Sequence, residues 1–256
     1  MFEASVGSYF WAAIVLLLAT SFFSASATAQ GGSPMITDDT GTVPKGHWEI
    51  NTAFVVERTA DGRVFGTPLL DVNYGLSKNT QLKVEIPWIV RHTNNQPAIN
   101  GLGNTNIGVR WRFRDESEHH RVAISMYPQF EFNNPTSSVR RGLVDKGPEF
   151  LMPIQWETKV GKFGINGDVG YRFKRGPDEI MYGVVVGRDL SDRFELLGEI
   201  HGTGPRSHLG DSEVVYNLGS RVMLTSHLTL ITSVGASIIP HRDPRFIAYA
   251  GIQTTF

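Results

Sequence analysis

The chain has 256 residues, with 24 basic residues, 25 acidic residues and no cysteine. This balanced charge argues against nucleic acid as a partner, because phosphate binding requires a basic surplus. The absence of cysteine excludes a disulfide framework, a thiol nucleophile and a thiolate metal site.

Residues 1–29 have the layout of a secretory signal peptide, with an apolar run at residues 10–19 and a small-residue cleavage site at residues 27–29. The run is shorter than the roughly 20 residues that a spanning helix needs, so an uncleaved anchor is the less favoured alternative. The first residues depart from the usual pattern, because they contain Glu3 and no Lys or Arg. The layout predicts export through the inner membrane and removal of residues 1–29.

Residues 30–45 are rich in Gly, Pro and Thr, and they predict an irregular lead-in. From residue 46 to the C terminus, apolar and polar side chains alternate with period two, which indicates strands, and no sustained 3.6-residue stripe indicates a helix. The alternation predicts twelve strands, near residues 46–58, 66–75, 80–90, 103–114, 121–133, 148–160, 163–173, 180–190, 193–203, 213–224, 227–239 and 246–256.

The predicted strands have the length and connections of a membrane barrel. Most are about ten residues long, which is what a tilted strand needs to cross a bilayer. Connections after even-numbered strands are short, and most of those after odd-numbered strands are longer, with residues 134–147 the longest. We therefore predict an all-β, antiparallel up-and-down barrel over residues 46–256 in the bacterial outer membrane, with short periplasmic turns and longer outer loops. The alternative is a soluble β-sandwich or ligand barrel.

Alternation assigns side chains to two faces of such a barrel. The last strand ends at Phe256 and resembles the closing strand of outer-membrane barrels, which implies recognition by the outer-membrane assembly machinery. Aromatic residues on the apolar parity are predicted at the two membrane interfaces: Trp48, Trp88, Trp111, Trp156, Phe246 and Phe256. Residues on the other parity are predicted to line a wet lumen: Asp71, Lys83, Glu85, Arg110, Arg112, Glu131, Glu157, Lys159, Asp168, Arg172, Glu195, Glu199, His201 and Arg221.

Four segments carry scaffold motifs: Pro34-Met-Ile-Thr-Asp-Asp39, Pro44-Lys-Gly-His-Trp-Glu-Ile50, Asp71-Val-Asn-Tyr-Gly-Leu76 and Gly101-Leu-Gly-Asn-Thr-Asn-Ile-Gly-Val-Arg-Trp-Arg-Phe113. They resemble motifs of the outer-membrane barrels grouped as the MetA-pathway of phenol degradation family. The chain departs from that pattern at Lys45, within a Pro-Gly-type turn, and at Asn104, where Asp is commoner. The resemblance implies uptake of aromatic or other apolar compounds across the outer membrane.

Two sets of residues could support catalysis or metal binding. His201 lies on the inward parity beside Glu199, which could orient its imidazole, while Ser233 and Ser237 lie on another strand. The chain has no Gly-x-Ser-x-Gly elbow, so a polar wall residue is the favoured interpretation of this histidine. The run of residues 115–120 contains two histidines and three acids that could hold a divalent metal, although a solvated turn is favoured.

Basic residues in the predicted outer loops offer contact with lipopolysaccharide phosphates, namely Arg140, Arg141, Arg206 and His208. An ordinary exposed loop is the favoured interpretation of these residues. The partners predicted from the sequence are outer-membrane lipid, lipopolysaccharide and a small-molecule solute.

Twelve strands lie between the eight that side chains fill and the 16 to 18 that leave an open channel. We therefore predict a passive channel or transporter for small molecules, apolar and aromatic ones included, with the loop at residues 134–147 folding inwards. The alternatives are an outer-membrane lipid-modifying hydrolase and a structural or adhesive barrel with a closed lumen. No cofactor, catalytic residue or metal is predicted, and the path of residues 30–45 stays open.

Overall fold

The computed structural model describes residues 32–117 and 121–256, which form β-strands almost throughout. A short 3-10 helix spans Leu209–Asp211. Among the described residues, none of the helices is long and apolar enough to cross a membrane. The strands are Trp48–Arg58 (β1), Gly62–Ser77 (β2), Thr80–Thr93 (β3), Ile99–Leu102 (β4), Thr105–Arg114 (β5), Val122–Met126 (β6), Gln129–Phe132 (β7), Glu149–Val160 (β8), Phe163–Phe173 (β9), Glu179–Ser191 (β10), Phe194–Pro205 (β11), Glu213–Met223 (β12), Leu228–Ser237 (β13) and Phe246–Thr255 (β14).

The strands close into a ring. Neighbouring strands pair antiparallel, and β1 pairs with β14 so that Glu49 lies opposite Thr255 and Arg58 opposite Phe246. Strands β4 and β5 both pair with β3, and β6 and β7 both lie between β5 and β8, so each of these pairs acts as one interrupted strand. The result is a closed antiparallel barrel of twelve strands, which confirms the predicted fold class.

The interruptions correct one predicted strand, 121–133, and add the short strand β4 before the predicted strand 103–114. Pro128 has no N–H to donate, so the strand breaks there, and its carbonyl instead accepts from the Val109 N–H at 3.0 Å. The other break follows β4, where the Gly103 N–H donates to the Pro87 carbonyl at 2.8 Å. The first hairpin also extends further than predicted, because strand pairing begins at Gly62 and leaves only residues 59–61 as the turn.

The two ends of the barrel differ. The chain enters β1 and leaves β14 at one end, which we call the terminal end, and its turns include residues 78–79, 161–162 and 192–193. The opposite end, which we call the loop end, holds longer connections, the longest being residues 133–148. The predicted asymmetry between the ends is confirmed, although the loop-end turn at residues 59–61 is short and the terminal-end connection at residues 115–121 is longer than the other turns at that end.

Large apolar side chains cover the outer wall. Val184, Ile200 and Leu218 are 44%, 56% and 58% exposed, which is the surface that a barrel presents to lipid. The six aromatics predicted for the interfaces follow the outward parity, with Trp48, Trp111, Trp156 and Phe256 towards the terminal end and Trp88 and Phe246 towards the loop end. Their contact with membrane interfaces stays a prediction.

Candidate functional site in the barrel lumen

The inner wall is polar. All fourteen residues that the sequence predicts for the lumen lie on the inward parity of the paired strands. Their contact with a solute stays a prediction. Lys159 is exposed, Lys83, Glu85, Arg112, Glu131, Arg172 and Arg221 are half-buried, and the buried members are Asp71, Arg110, Glu157, Asp168, Glu195, Glu199 and His201.

The chain segment before β1 lies inside the barrel and answers the question that the sequence left open. We call residues 32–43 the plug. Thr37 and Thr40 in it have exposed fractions of 0% and 1%, although the segment has no regular secondary structure. Buried irregular backbone needs partners for its N–H and carbonyl groups, so the inner wall must supply them.

Arg110 on β5 holds the two aspartates of the plug. Its Nη2 lies 2.5 Å from Asp38 Oδ1, and its Nη1 lies 3.1 Å from Asp39 Oδ1 and donates to the Gly41 carbonyl at 2.8 Å. The guanidinium also lies 4.5 Å from the ring centroid of Tyr127. Burial raises the pKa of Asp39, although Arg110 acts in the opposite direction.

Three wall carboxylates accept hydrogen bonds from the plug. Glu199 accepts from the backbone N–H groups of residues 36 and 37 at 3.2 and 2.5 Å. Asp168 accepts from the next N–H, that of residue 38, at 3.2 Å, and Glu157 accepts from the Thr40 hydroxyl at 2.8 Å. Three successive peptide N–H groups and one hydroxyl of the plug are therefore paired with carboxylates of three different strands.

Donors on β12 and β13 bind carbonyls at the start of the plug. Arg221 donates to the carbonyls of Gly32 and Ser33 at 3.3 and 2.9 Å, and the Ser233 hydroxyl donates to the Pro34 carbonyl at 2.8 Å. Near the other end of the plug, the Val43 N–H donates to the Gln81 side chain of β3 at 2.8 Å. The plug is thus bound on opposite sides of the ring.

Glycines on the inner wall make room for the plug. A Cβ on Gly183 would lie 1.9 Å from Thr37 Oγ1, and a Cβ on Gly219 would lie 2.1 Å from Met35 Cε. A Cβ on Gly75 would lie equally close to the backbone of the residue just after the plug. Glycine inside a strand often marks the close approach of another backbone, and these three positions do so.

One apolar contact complements the polar ones. Met35 of the plug is buried with Val185 and Leu197, two apolar residues on the inward parity of β10 and β11. The Thr37 hydroxyl, in contrast, has no hydrogen-bond partner. Polar pairing, one apolar anchor and glycine-lined space together position the plug.

Open space remains at the terminal end. A cavity of about 650 Å³ lies beside the plug and extends to Trp48 and Phe256 at the rim. Its wall includes plug residues Asp38 and Asp39 and the charged inner-wall residue Lys83. A solute entering from this end would meet the plug and its ionic contacts.

At the loop end, the longest connection folds inwards, as the sequence predicts. Arg91 on β3 donates to the carbonyls of Gly142 and Leu143 at 2.9 and 3.2 Å, and Ser138 donates to the Leu102 carbonyl at 2.6 Å. Leu143 is 1% exposed, so this loop packs on the inner wall.

The residues considered for the hydrolase alternative do not form a catalytic site. The Glu199 carboxylate is occupied by the plug and by Asn217, and the buried His201 Nε2 has no hydrogen-bond partner. Ser233 binds the plug. A catalytic serine, histidine and acid require mutual hydrogen bonds, and the described residues provide none here.

Two groups of candidate residues remain, the possible metal ligands and the basic loop residues. His119 and His120 lie outside the described residues, and in the part of the chain that the structure describes no group of three or more His, Asp or Glu side chains could hold a metal. Arg141 packs towards Gly101, and Arg206 donates to the Tyr171 hydroxyl at 3.4 Å.

Neither a protein-family model nor a curated protein matches the chain. The resemblance to the MetA-pathway family therefore stays a prediction.

Solved structures share the fold. The COG4313 outer membrane channel from Pseudomonas putida F1 superposes with a TM-score of 0.63 at 10% identity, over 85% of this chain and 98% of the channel. The KdgM porin in complex with disordered oligogalacturonate gives a TM-score of 0.58 at 12% identity, over 81% and 99% of the two chains. The NanC porin gives a TM-score of 0.57 at 9% identity, over 81% of this chain and 98% of the porin. The barrel thus shares its fold with these channel and porin structures.

Proposed function

We propose that this chain is a passive outer-membrane channel for small solutes whose lumen is closed reversibly by the plug. One observation carries the proposal: a polar segment lies inside a closed barrel and is bound to the inner wall by hydrogen bonds and ion pairs. Such contacts exchange with water at a modest net free-energy change, so the segment can leave as well as bind. Removal of residues 1–29 and membrane insertion through the strand that ends at Phe256 belong to the same proposal.

The polar side chains of the inner wall favour passage of solutes that carry polar groups. Once the plug leaves, Arg110, Glu157, Asp168, Glu199 and Arg221 would face the water in the lumen. Hydrogen-bonding and charged walls favour solutes that replace these contacts, whereas aromatic solutes need apolar surface. Uptake of phenol and of a neutral sugar of similar size into proteoliposomes, each compared with protein-free liposomes, would separate the two classes, and we expect the barrel to accelerate entry of the sugar more than that of phenol.

A disulfide between the plug and the wall tests the gate directly, because the natural chain has no cysteine. A Cβ on Gly183 would lie 3.0 Å from Thr37 Cβ, so a disulfide requires the two Cβ atoms to move apart by about 0.5 Å or more to reach the usual separation of about 3.5–4.5 Å. In the double variant Thr37→Cys/Gly183→Cys, oxidation should lock the plug and reduce single-channel conductance in planar bilayers. Addition of dithiothreitol should restore it.

The matched control places a disulfide within the wall. A Cβ on Gly66 would lie 3.7 Å from Val55 Cβ, so Gly66→Cys/Val55→Cys should oxidise without touching the plug and without changing conductance. Equal conductance of the locked and reduced plug variants would show that the plug is not the gate. If deletion of residues 32–43 also produced no conductance in a folded barrel, the channel proposal itself would fail.

A further inference from the structure

Four basic side chains gather on the outer wall at the loop end. Arg58 on β1 lies directly opposite Arg63 on β2, and Arg63 lies directly opposite His92 on β3. Arg245 comes from the chain just before β14, where its N–H donates to the Arg58 carbonyl at 2.8 Å. We call these four residues the basic patch. Like charges placed opposite each other in a sheet repel, so this arrangement costs stability unless an anion is present.

The basic patch has little acidic compensation. Among the described residues, Arg58, Arg63 and His92 form no ion pair, and Arg245 has only Asp243, with Nε and Oδ1 3.7 Å apart. The inner wall behaves differently, since the buried Arg110 pairs with two carboxylates of the plug, and the half-buried Arg172 and Arg221 each pair with a carboxylate of the wall. The positive charge of the patch is therefore left for an external partner.

The four side chains surround a surface cavity of about 310 Å³, together with Phe65 and the turn at residues 59–62. A phosphate group fits such a volume, and several guanidinium groups around one cavity match its geometry and charge. All four basic residues are exposed, so an incoming group can reach them.

An aromatic surface lies directly next to the cations. Phe65 contacts the His92 ring edge-on at 5.7 Å between centroids, and its centroid lies 5.8 Å from that of Phe54. Phe54 and Phe246 are 42% and 41% exposed on the outer wall. The surface is thus cationic at the rim and apolar towards the middle of the barrel, which is the order of headgroup and acyl chain in a lipid.

We propose that the basic patch is a binding site for the phosphate of lipopolysaccharide in the leaflet at the loop end, with an acyl chain against Phe54 and Phe65. This inference rests on the membrane placement of the proposed function. It places the lipopolysaccharide contact on the barrel wall, whereas the sequence suggested loop residues such as Arg206. Clustered basic residues at the membrane surface recognise anionic headgroups in this way.

The test measures binding of bisphosphorylated lipid A to the full-length barrel in lipid-free detergent, by native mass spectrometry. Because two of the patch arginines are removed, Arg58→Gln/Arg63→Gln should weaken binding about tenfold or more. The matched control is Arg188→Gln, which changes an outer-wall arginine near the terminal end that lies 5.4 Å from the Phe163 ring. The control should bind lipid A as the unmodified chain does, and a heat-dependent gel shift shows that each variant is folded.

The remaining arms identify the source of the phosphate. Enzymatically dephosphorylated lipid A should bind at least about tenfold more weakly to the unmodified chain, in line with the loss of the charge-assisted contacts. Equal affinity for the dephosphorylated lipid, or unchanged affinity in the double variant, would overturn the proposal. Equally tight binding of phosphatidylglycerol, or binding of inorganic phosphate alone, would also overturn the assignment to lipopolysaccharide. None of these outcomes depends on conductance, so they are distinct from failure of the channel proposal.

Discussion

The substitution Glu199→Gln should release the plug while leaving the barrel intact. Glu199 is buried and accepts from two successive backbone N–H groups of the plug and from Asn217 Nδ2. Glutamine has nearly the same shape but offers one acceptor oxygen, and its NH₂ group cannot accept from a peptide N–H. One plug N–H therefore loses its partner, and the other keeps a weaker, neutral one.

The size of the effect follows from these contacts. A hydrogen bond to a charged group contributes about 1.5–3 kcal/mol, against about 0.5–1.5 kcal/mol for a neutral pair. Loss of one charged contact and weakening of the second gives roughly 2–4 kcal/mol, and the smaller desolvation cost of an amide offsets part of this. With a net loss of about 2 kcal/mol of binding free energy between plug and wall, the ratio of released to seated plug should rise about 30-fold.

Thr37→Cys supplies the readout. Thr37 is fully buried and its hydroxyl has no partner, so the substitution removes no hydrogen bond, and the new thiol is the only one in the chain. Its labelling rate with a thiol reagent reports the released fraction when release and return are fast. The control is Glu131→Gln on β7, whose carboxylate accepts from Asn104 instead of the plug. A labelling rate within about twofold of the parent would refute the assigned role of Glu199, because about 30-fold is expected.

Three further predictions test the plug and the outer wall. Gly183→Val should displace the plug and raise conductance, whereas Gly66→Val should not, because a Cβ there meets only Val55 Cβ, at 3.7 Å. Burial raises the pKa of Asp39 in the seated plug, so seating is accompanied by proton uptake. Lowering the pH from neutral towards about 4 should therefore reduce the open fraction in bilayer recordings, and less so in Asp39→Asn. Val184→Arg, at an outward position in the middle of β10, should lower the free energy of unfolding from vesicles by about 2–4 kcal/mol in urea titrations, whereas Val184→Leu should not.

The strands could be predicted because burial in a closed barrel imposes the same two-residue alternation on every strand. The interval 163–173 coincides with β9, and 213–224 differs from β12 by one residue. The interruption at Pro128 has a signal in the sequence, since proline inside a strand indicates a break or a bulge. The alternation leaves residues 99–102 between two predicted strands, because their pairing with β3 depends on register that a sequence does not contain.

The plug could not be predicted from side-chain patterns, because many of its contacts are made by backbone groups. Glu199 binds an N–H that lies 162 residues away along the chain, and no local spacing encodes that distance. Two signals were present all the same. Gly183 and Gly219 interrupt the inward parity of their strands, and such glycines indicate the close approach of another chain segment.

The polar inner wall explains why closure by a plug can be reversible. Seating removes water from Glu199, Asp168 and Arg110, which costs free energy, and the hydrogen bonds and ion pairs with the plug offset this cost. The net balance is small compared with either contribution, so loss of a single contact is enough to change the ratio of released to seated plug by about an order of magnitude. Apolar burial contributes less to seating than the polar contacts do, because Met35 is the plug's one side chain in the buried apolar cluster with Val185 and Leu197. Under the proposed function the same wall charges have two roles: they bind the plug when the lumen is closed, and they would meet solvent and solute when it is open.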